Sequence, residues 1–164
     1  MNLIYKLSSW LMMSLFVLSL TNCIKNEDSV CGQTFTEKEI NDIVSEANAY
    51  GIVLTRGCKI TITGSLDDTM PNPPILNSDF IRFNTGDSKK IKVLLTWDNP
   101  TFDLDLYIVD EFNKSLGKAA GLNDFESIEW TTDKYYYPRY VRSEVFSALC
   151  VGCLTNYTLI IEGL

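Results

Sequence analysis

The chain has 164 residues, of which 21 are acidic and 14 are basic, and its formal net charge is −7. Nucleic-acid binding needs clustered lysine and arginine, so this balance excludes nucleic acid as a partner. The sequence contains no histidine, which excludes Ser-His-Asp and Cys-His nucleophile systems and metal centres with histidine ligands. We therefore expect no enzymatic activity and predict no catalytic residues.

Residues 1–22 are predicted to be an export signal. Lys6 is the only charged side chain in this segment, and an apolar run over residues 10–20 follows it. This order is typical of a secretory signal peptide, and the run is short for a membrane span.

The signal ends in the letters LTNC at residues 20–23, which resemble a bacterial lipobox. In that motif the cysteine is lipidated and becomes the first mature residue, so Cys23 is the predicted lipidation site and residues 23–35 the tether. Acyl chains would then hold the protein on the cell envelope, at the surface or periplasmic side of the outer membrane. An ordinary cleaved signal and an uncleaved anchor are the alternatives.

Four further cysteines remain, and an even number in an exported protein indicates disulfides. They are Cys31, Cys58, Cys150 and Cys153. We prefer the pairs Cys31–Cys58 and Cys150–Cys153, because the first would pin an amino-terminal helix to the next strand. The CxxC spacing of the second pair also fits a redox site or half of a zinc site. That motif, however, leads into a predicted strand and not into a helix.

A short helix is predicted to begin after Thr36. The letters TEKE at residues 36–39 form a capping box. Apolar residues then recur at the spacing of one helix face. These are Ile40, Ile43, Val44 and Ala47. We expect this helix to pack on a sheet, and a partner-binding helix is the alternative.

Beyond residue 51 the pattern changes to alternating, β-branched segments. Residues 52–64 indicate one or two strands, and the proline-rich residues 65–78 indicate a loop. Five further strand-like segments follow between turn-forming residues. We predict a mainly β, antiparallel sandwich with one short amino-terminal helix, in which residues 36–76 and 77–164 form one domain.

The segment DLDLYI at residues 103–108 alternates acidic and apolar side chains. Its leucines would face a core and its aspartates the other side of the strand. Aspartate is a poor strand former, and two more oxygen-bearing residues end the preceding strand. Carboxylate and amide oxygens suit Ca²⁺, so we predict a candidate calcium site. Its ligands would be Asp98, Asn99, Asp103 and Asp105. A hydrogen-bonded turn and a solvated strand face are the alternatives.

The run from Asn77 to Gly163 resembles the bacterial pre-peptidase C-terminal domain. The resemblance rests on residues 79–117, which contain LLTWD and DLDLY, on ESIEWTT at 126–132, and on NYTLIIEG at 156–163. It implies a jelly-roll-like β-sandwich that is non-catalytic and accessory to other proteins. It also implies a binding role, because relatives in collagenases bind collagen and some members bind calcium.

The segment between Trp130 and Leu154 is longer and more aromatic than the corresponding link in that family. It holds tyrosine and arginine side chains, which are favoured in binding surfaces. The candidate partner-binding residues are Tyr135, Tyr136, Arg139, Tyr140 and Arg142. Packing of these tyrosines within the sandwich is the alternative.

The sequence thus predicts a non-enzymatic cell-envelope lipoprotein that binds an unknown protein or glycan ligand at the bacterial surface. No cofactor is required, although Ca²⁺ is a candidate. One alternative is a periplasmic accessory factor for a secreted protease or for envelope assembly. A hydrolase that uses Asp103 and Asp105 is a further alternative.

Overall fold

The computed structural model describes residues 30–67, 77–132, 137–148 and 153–164. Within these ranges, ten strands form two five-stranded sheets. In spatial order, sheet A contains β1 (Thr34–Thr36), β3 (Lys59–Asp67), β10 (Leu154–Gly163), β5 (Lys90–Trp97) and β8 (Phe125–Thr131). Sheet B contains β2 (Asn48–Val53), β4 (Ser78–Asn84), β9 (Pro138–Ala148), β6 (Phe102–Val109) and β7 (Ser115–Ala119). The predicted β-sandwich is confirmed.

Most neighbouring strands are antiparallel, but the two amino-terminal strands are not. β1 pairs with β3 and β2 pairs with β4 in the parallel sense. β1 forms one edge of sheet A and β2 one edge of sheet B. The connection between them therefore crosses from one sheet to the other along the side of the sandwich.

The hydrophobic core lies between the sheets and is built from alternate residues of the strands. In β6, Leu104, Leu106 and Ile108 are fully buried in this core, as their alternation predicts. Ile62 and Leu159 face them from sheet A. Each side chain of this size contributes about 1.5–3 kcal/mol when it leaves water.

The helix predicted after Thr36 is wrong. In the described chain this stretch contains the end of β1, a single 3-10 turn at Val44–Glu46 and the start of β2. Two residues assigned to the apolar helix face are exposed to solvent, Ile40 by 71% and Ile43 by 52%.

Hydrogen bonds to β3 hold the start of this segment in an extended conformation and not in a helix. The backbone N–H of Glu37 donates to the carbonyl of Thr63 at 2.9 Å, which extends the pairing of β1. The Glu37 carboxylate accepts from the backbone N–H of Ser65 at 2.6 Å, which adds a second bond between this segment and β3. Ile40 then adopts a φ of +62°, which no helical residue has. The capping box is a local pattern that non-local hydrogen bonds override.

One predicted disulfide is confirmed. Cys31 and Cys58 are bonded and join the segment before β1 to the start of β3. Cys153 is also disulfide-bonded, but Cys150 lies outside the described residues, as does the predicted lipidation site Cys23. In the part of the chain that the structure describes, no helix is long and apolar enough to cross a membrane.

Candidate functional site

An open groove of about 700 Å³ lies over one end of sheet A, where β1, β3 and β5 end and β10 begins. We call it the sheet A groove. Its lining residues are Thr36, Glu37, Glu39, Thr63, Gly64, Ser65, Thr96, Trp97, Asp98, Asn156, Tyr157 and Thr158. Most of these residues carry a hydroxyl, carboxylate or amide group, and carbon atoms supply much of the remaining surface.

Four threonines form a straight row across the groove. The strand register pairs Thr36 with Thr63, Thr63 with Thr158, and Thr158 with Thr96. Since neighbouring strands lie roughly 4.8 Å apart, hydroxyl groups recur at about that spacing over four strands. Ser65 pairs with Asn156 in the next outward-facing row. The sheet therefore presents a regular polar surface.

The Glu37 carboxylate forms one wall of the groove. It accepts hydrogen bonds from the backbone N–H of Ser65 at 2.6 Å and from the hydroxyl of Tyr157 at 2.5 Å. The carboxylate lies directly on Gly64, where a Cβ built on the glycine would overlap it. A glycine inside a strand often marks such a close approach. Because Gly64 has no side chain, the Glu37 carboxylate can pack against the side of the sandwich at this position.

Asp79 lies behind this wall and is 1% exposed. Burial, and then its hydrogen bond with Glu37, raises the pKa of Asp79 to about 9. Burial also raises the pKa of Tyr157 well above its usual value. At neutral pH the Asp79 carboxyl is therefore protonated, and it can donate its hydrogen bond to Glu37.

Glu39 is the other acidic residue on this side of the groove. Burial raises its pKa, and the neighbouring charge of Glu37 raises it further. Like charges that are held close together disfavour ionisation of each other. A ligand with hydroxyl donors would relieve this repulsion by hydrogen bonding.

The opposite wall is the turn after β5, which contains two of the predicted calcium ligands. Asp98 accepts from the backbone N–H of Asn156 at 2.9 Å and from its side-chain amide at 2.8 Å. These bonds lower the pKa of Asp98. Asn99 accepts from the backbone N–H of Thr101 at 3.1 Å and donates to the carbonyl of Leu154 at 3.1 Å. Both side chains thus belong to a hydrogen-bonded turn network.

The other two predicted calcium ligands lie on β6 in sheet B. Asp105 is 2% exposed, forms an ion pair with Lys118 at 3.1 Å and accepts from the hydroxyl of Tyr107 at 2.8 Å. Burial, and then the charge of Asp105, raises the pKa of Asp103. In the described ranges, no three acidic or cysteine side chains gather where they could hold a metal ion. Calcium binding stays a prediction.

Two of the predicted partner-binding residues, Tyr135 and Tyr136, lie outside the described residues. Tyr140 lies on β9 and is buried against Phe80 and Val109 on the outer side of sheet B. Its packing corresponds to the alternative in which tyrosines of this segment fill the structure.

The two predicted arginines also contact other groups of the same chain. Arg142 lies 4.1 Å from the centre of the Tyr107 ring and forms an ion pair with Glu144 at 3.0 Å. Arg139 donates to the carbonyl of Pro138 at 2.8 Å and lies 5.8 Å from the Trp130 ring. The role of the two arginines in partner binding stays a prediction.

Comparisons with known proteins give matches of fold only. No protein-family model and no curated protein sequence matches the chain. It is similar to the pre-peptidase C-terminal domain of collagenase from Bacillus anthracis, with a TM-score of 0.48 and 13% identity over 71% of this chain and 96% of that one. It is also similar to PliG of Aeromonas hydrophila, a periplasmic inhibitor of g-type lysozyme, with a TM-score of 0.43 and 7% identity over 79% and 97% of the two chains. The first match falls in the family that the sequence motifs resemble.

Proposed function

We propose that this chain is a non-enzymatic binding module of the bacterial cell envelope and that the sheet A groove binds a glycan. The observation that carries the proposal is the threonine row across β1, β3, β10 and β5. A glycan presents many hydroxyl groups at fixed spacing, and each can donate and accept a hydrogen bond. Threonine hydroxyls have the same dual capacity. Those of Thr63 and Thr96 donate weakly to the carbonyls of Phe35 and Thr158 at 3.4 Å and keep their lone pairs for a ligand, so the row can match such a ligand repeatedly.

The groups around the row are held in place before a ligand binds. Asp98 is fixed by Asn156, and Glu37 is fixed by Ser65 and Tyr157. The indole N–H of Trp97 donates to the carbonyl of Phe102 at 3.0 Å and so fixes an aromatic ring at the groove. Such preorganisation supports binding, because little conformational entropy is lost when the ligand arrives.

The bonding of the carboxylates supports a binding role over a catalytic one. Both oxygens of Glu37 and both of Asp98 already accept hydrogen bonds within the protein. In the hydrolase alternative, Asp105 would act beside Asp103, but Asp105 is paired with Lys118. A general base must reach the proton that it abstracts, and the carboxylates of Glu37, Asp98 and Asp105 are bonded to protein groups.

The envelope location is part of the proposal and rests on the predicted signal and on the lipidation of Cys23. The Cys31–Cys58 disulfide supports it, because such bonds persist in oxidising compartments such as the periplasm and the cell surface. The lipid anchor would leave the sandwich free to meet a ligand beside the membrane.

The test is to screen the purified protein on an array of bacterial and host glycans and to titrate the strongest ligand. Thr63→Val and Thr158→Val remove hydroxyls from the row while they keep the side-chain shape, and each should weaken binding about tenfold. Thr61→Val is the matched control, because Thr61 lies on the same face of β3 but does not line the groove. Absence of binding to every glycan, or equal losses in Thr61→Val, would contradict the proposal.

A further inference from the structure

A second concave surface lies on sheet B, away from the sheet A groove. It is a cleft of about 370 Å³ between the connection that precedes β2 and the tip of the β6–β7 hairpin. We call it the hairpin cleft. Its lining residues are Asp42, Ile43, Val44, Ser45, Phe80, Glu111, Phe112 and Asn113. Four of these are apolar and two are acidic. The described part of the lining contains no basic side chain, and the nearby Arg142 is engaged by Glu144 and Asn113.

The apolar residues of the cleft are arranged as a floor between two exposed side chains. Phe80 is 2% exposed and lies at the bottom. Phe112 on one side is 82% exposed, and Ile43 on the other is 52% exposed. A single exposed apolar residue is ordinary, but two that flank an apolar floor are typical of a binding site with a buried anchor.

The hairpin fixes the backbone of Phe112. The Asp110 carboxylate accepts from the backbone N–H groups of Phe112 at 3.0 Å and Lys114 at 2.9 Å. Asn113 donates its backbone N–H to the Asp110 carbonyl and has a φ of +60°, which asparagine tolerates. The exposed ring is therefore presented on a rigid turn, so the backbone would lose little entropy on binding.

The connection on the other side of the cleft is held under strain. Ile40 has a φ of +62° and is 71% exposed, and this conformation is unfavourable for a β-branched residue. The next residue, Asn41, is fully buried, and its carbonyl accepts from the backbone N–H of Phe80 at 3.0 Å. Strained residues that the surroundings hold in place occur mostly at functional sites. Here the strained segment leads directly into Ile43 at the side of the cleft.

We propose that the hairpin cleft docks a partner protein through a segment in which apolar side chains alternate with lysine or arginine. An apolar side chain of that segment would sit on Phe80 between Ile43 and Phe112. The carboxylates of Asp42 and Glu111 would meet its basic residues at the rim. The net charge of −7 attracts a basic partner and repels an acidic one. The proposal does not depend on the sheet A groove, which lies on the other sheet.

The test uses a short peptide of alternating leucine and lysine as the probe, titrated into the purified protein and followed by backbone amide chemical shifts. We expect shifts at residues 42–45 and 111–113. The double variant Ile43→Ser with Phe112→Ser should weaken binding about tenfold. Asp42→Asn with Glu111→Gln should weaken it as well and reduce its dependence on salt.

Matched controls come from the loop between β7 and β8. Leu122→Ser removes a side chain that is 93% exposed and Asp124→Asn removes an exposed charge, both outside the cleft. These variants should bind the probe as the unchanged protein does. Shifts on another surface, equal losses in the controls, or equal binding of a lysine-serine peptide would overturn the proposal. All substituted side chains are at least partly exposed, and an unchanged Tm would show that the variants fold.

Discussion

The hydroxyl of Tyr157 donates a 2.5 Å hydrogen bond to the carboxylate of Glu37, which precedes it by 120 residues. This contact joins the end of β1 to β10 at the point where the chain leaves sheet A for sheet B. The same carboxylate forms a wall of the sheet A groove and lies beside the protonated Asp79. The groove and the closure of the sandwich therefore depend on one set of side chains.

Replacement of Gly64 by alanine tests this set directly. The new methyl group would displace the Glu37 carboxylate and leave the Ser65 N–H and the Tyr157 hydroxyl without their acceptor. We expect the free energy of unfolding to fall by about 2 kcal/mol in urea denaturation. Gly117→Ala is the matched control in another strand, because a Cβ there would make only ordinary contacts. Equal losses in the two variants would contradict the role of Gly64.

Asp79 gives the stability a definite pH dependence. Its pKa is about 9 in the folded protein and about 3.9 in an unfolded chain, so the folded state binds one more proton between these values. The free energy of unfolding therefore decreases as pH rises through this window, by at most about 1.4 kcal/mol per pH unit. Asp79→Asn keeps a neutral side chain and removes this loss. Its Tm relative to the unchanged protein should rise from pH 5 to pH 8.

Asp98→Asn is the control, because the contribution of Asp98 to stability should change with pH in the opposite direction. Asn156 lowers the pKa of Asp98, so the ionised form stabilises the fold above the unfolded pKa and this contribution disappears as pH falls. The difference in Tm between this variant and the unchanged protein should therefore be largest near neutral pH and should shrink in acid. A Tm difference for Asp79→Asn that does not change with pH would contradict the protonated state of that carboxyl.

The buried carboxylate of Asp105 depends on Lys118 for a compensating positive charge. The lysine side chain is 47% exposed and the aspartate only 3%, so Lys118→Met would leave a carboxylate in the interior without its cation. We expect a loss of about 2 kcal/mol in the free energy of unfolding. Lys90→Met breaks an ion pair with Glu129 in which both side chains are half exposed, and its effect should be much smaller. Comparable losses of stability in the two variants would show that the buried ion pair of Asp105 contributes no more than the exposed pair.

The strain at Ile40 predicts a stabilising substitution. Glycine adopts a positive φ without the clash of a Cβ, so Ile40→Gly should raise the free energy of unfolding by about 1 kcal/mol. Denaturation in urea measures the change. Ile43→Gly is the control, because Ile43 has an extended backbone with a φ of −136° and gains nothing from glycine. A loss of stability in Ile40→Gly would contradict the strain.

Local patterns predicted β3, β4, β5, β6, β8 and β10, but they missed β7 and β9 and mispredicted the amino-terminal segment. The alternation in DLDLYI placed Leu104 and Leu106 in the core because a strand buries every second residue whatever its partner is. The capping box at residues 36–39 predicted a helix because no local rule includes the bond between Glu37 and Ser65. Hydrogen bonds to residues that are distant in the sequence determine the conformation of that segment.

The sheet A groove could not be predicted for a related reason. Thr36, Thr63, Thr96 and Thr158 come from four separate strands, and only the register of their pairing brings them into one row. A shift of one residue would turn any of them to the other face. Gly64 inside an alternating strand was the one available signal, because a glycine there indicates a close approach of other atoms.

The most direct test of the central claim is to map the strongest glycan from the array onto the protein by backbone amide chemical shifts. We predict that the largest shifts fall at residues 36–39, 63–65, 96–98 and 156–158, which line the sheet A groove. The same titration with Thr158→Val should need a higher glycan concentration to reach saturation. Shifts confined to sheet B, or to residues outside these four segments, would contradict the assignment of the groove as the ligand site.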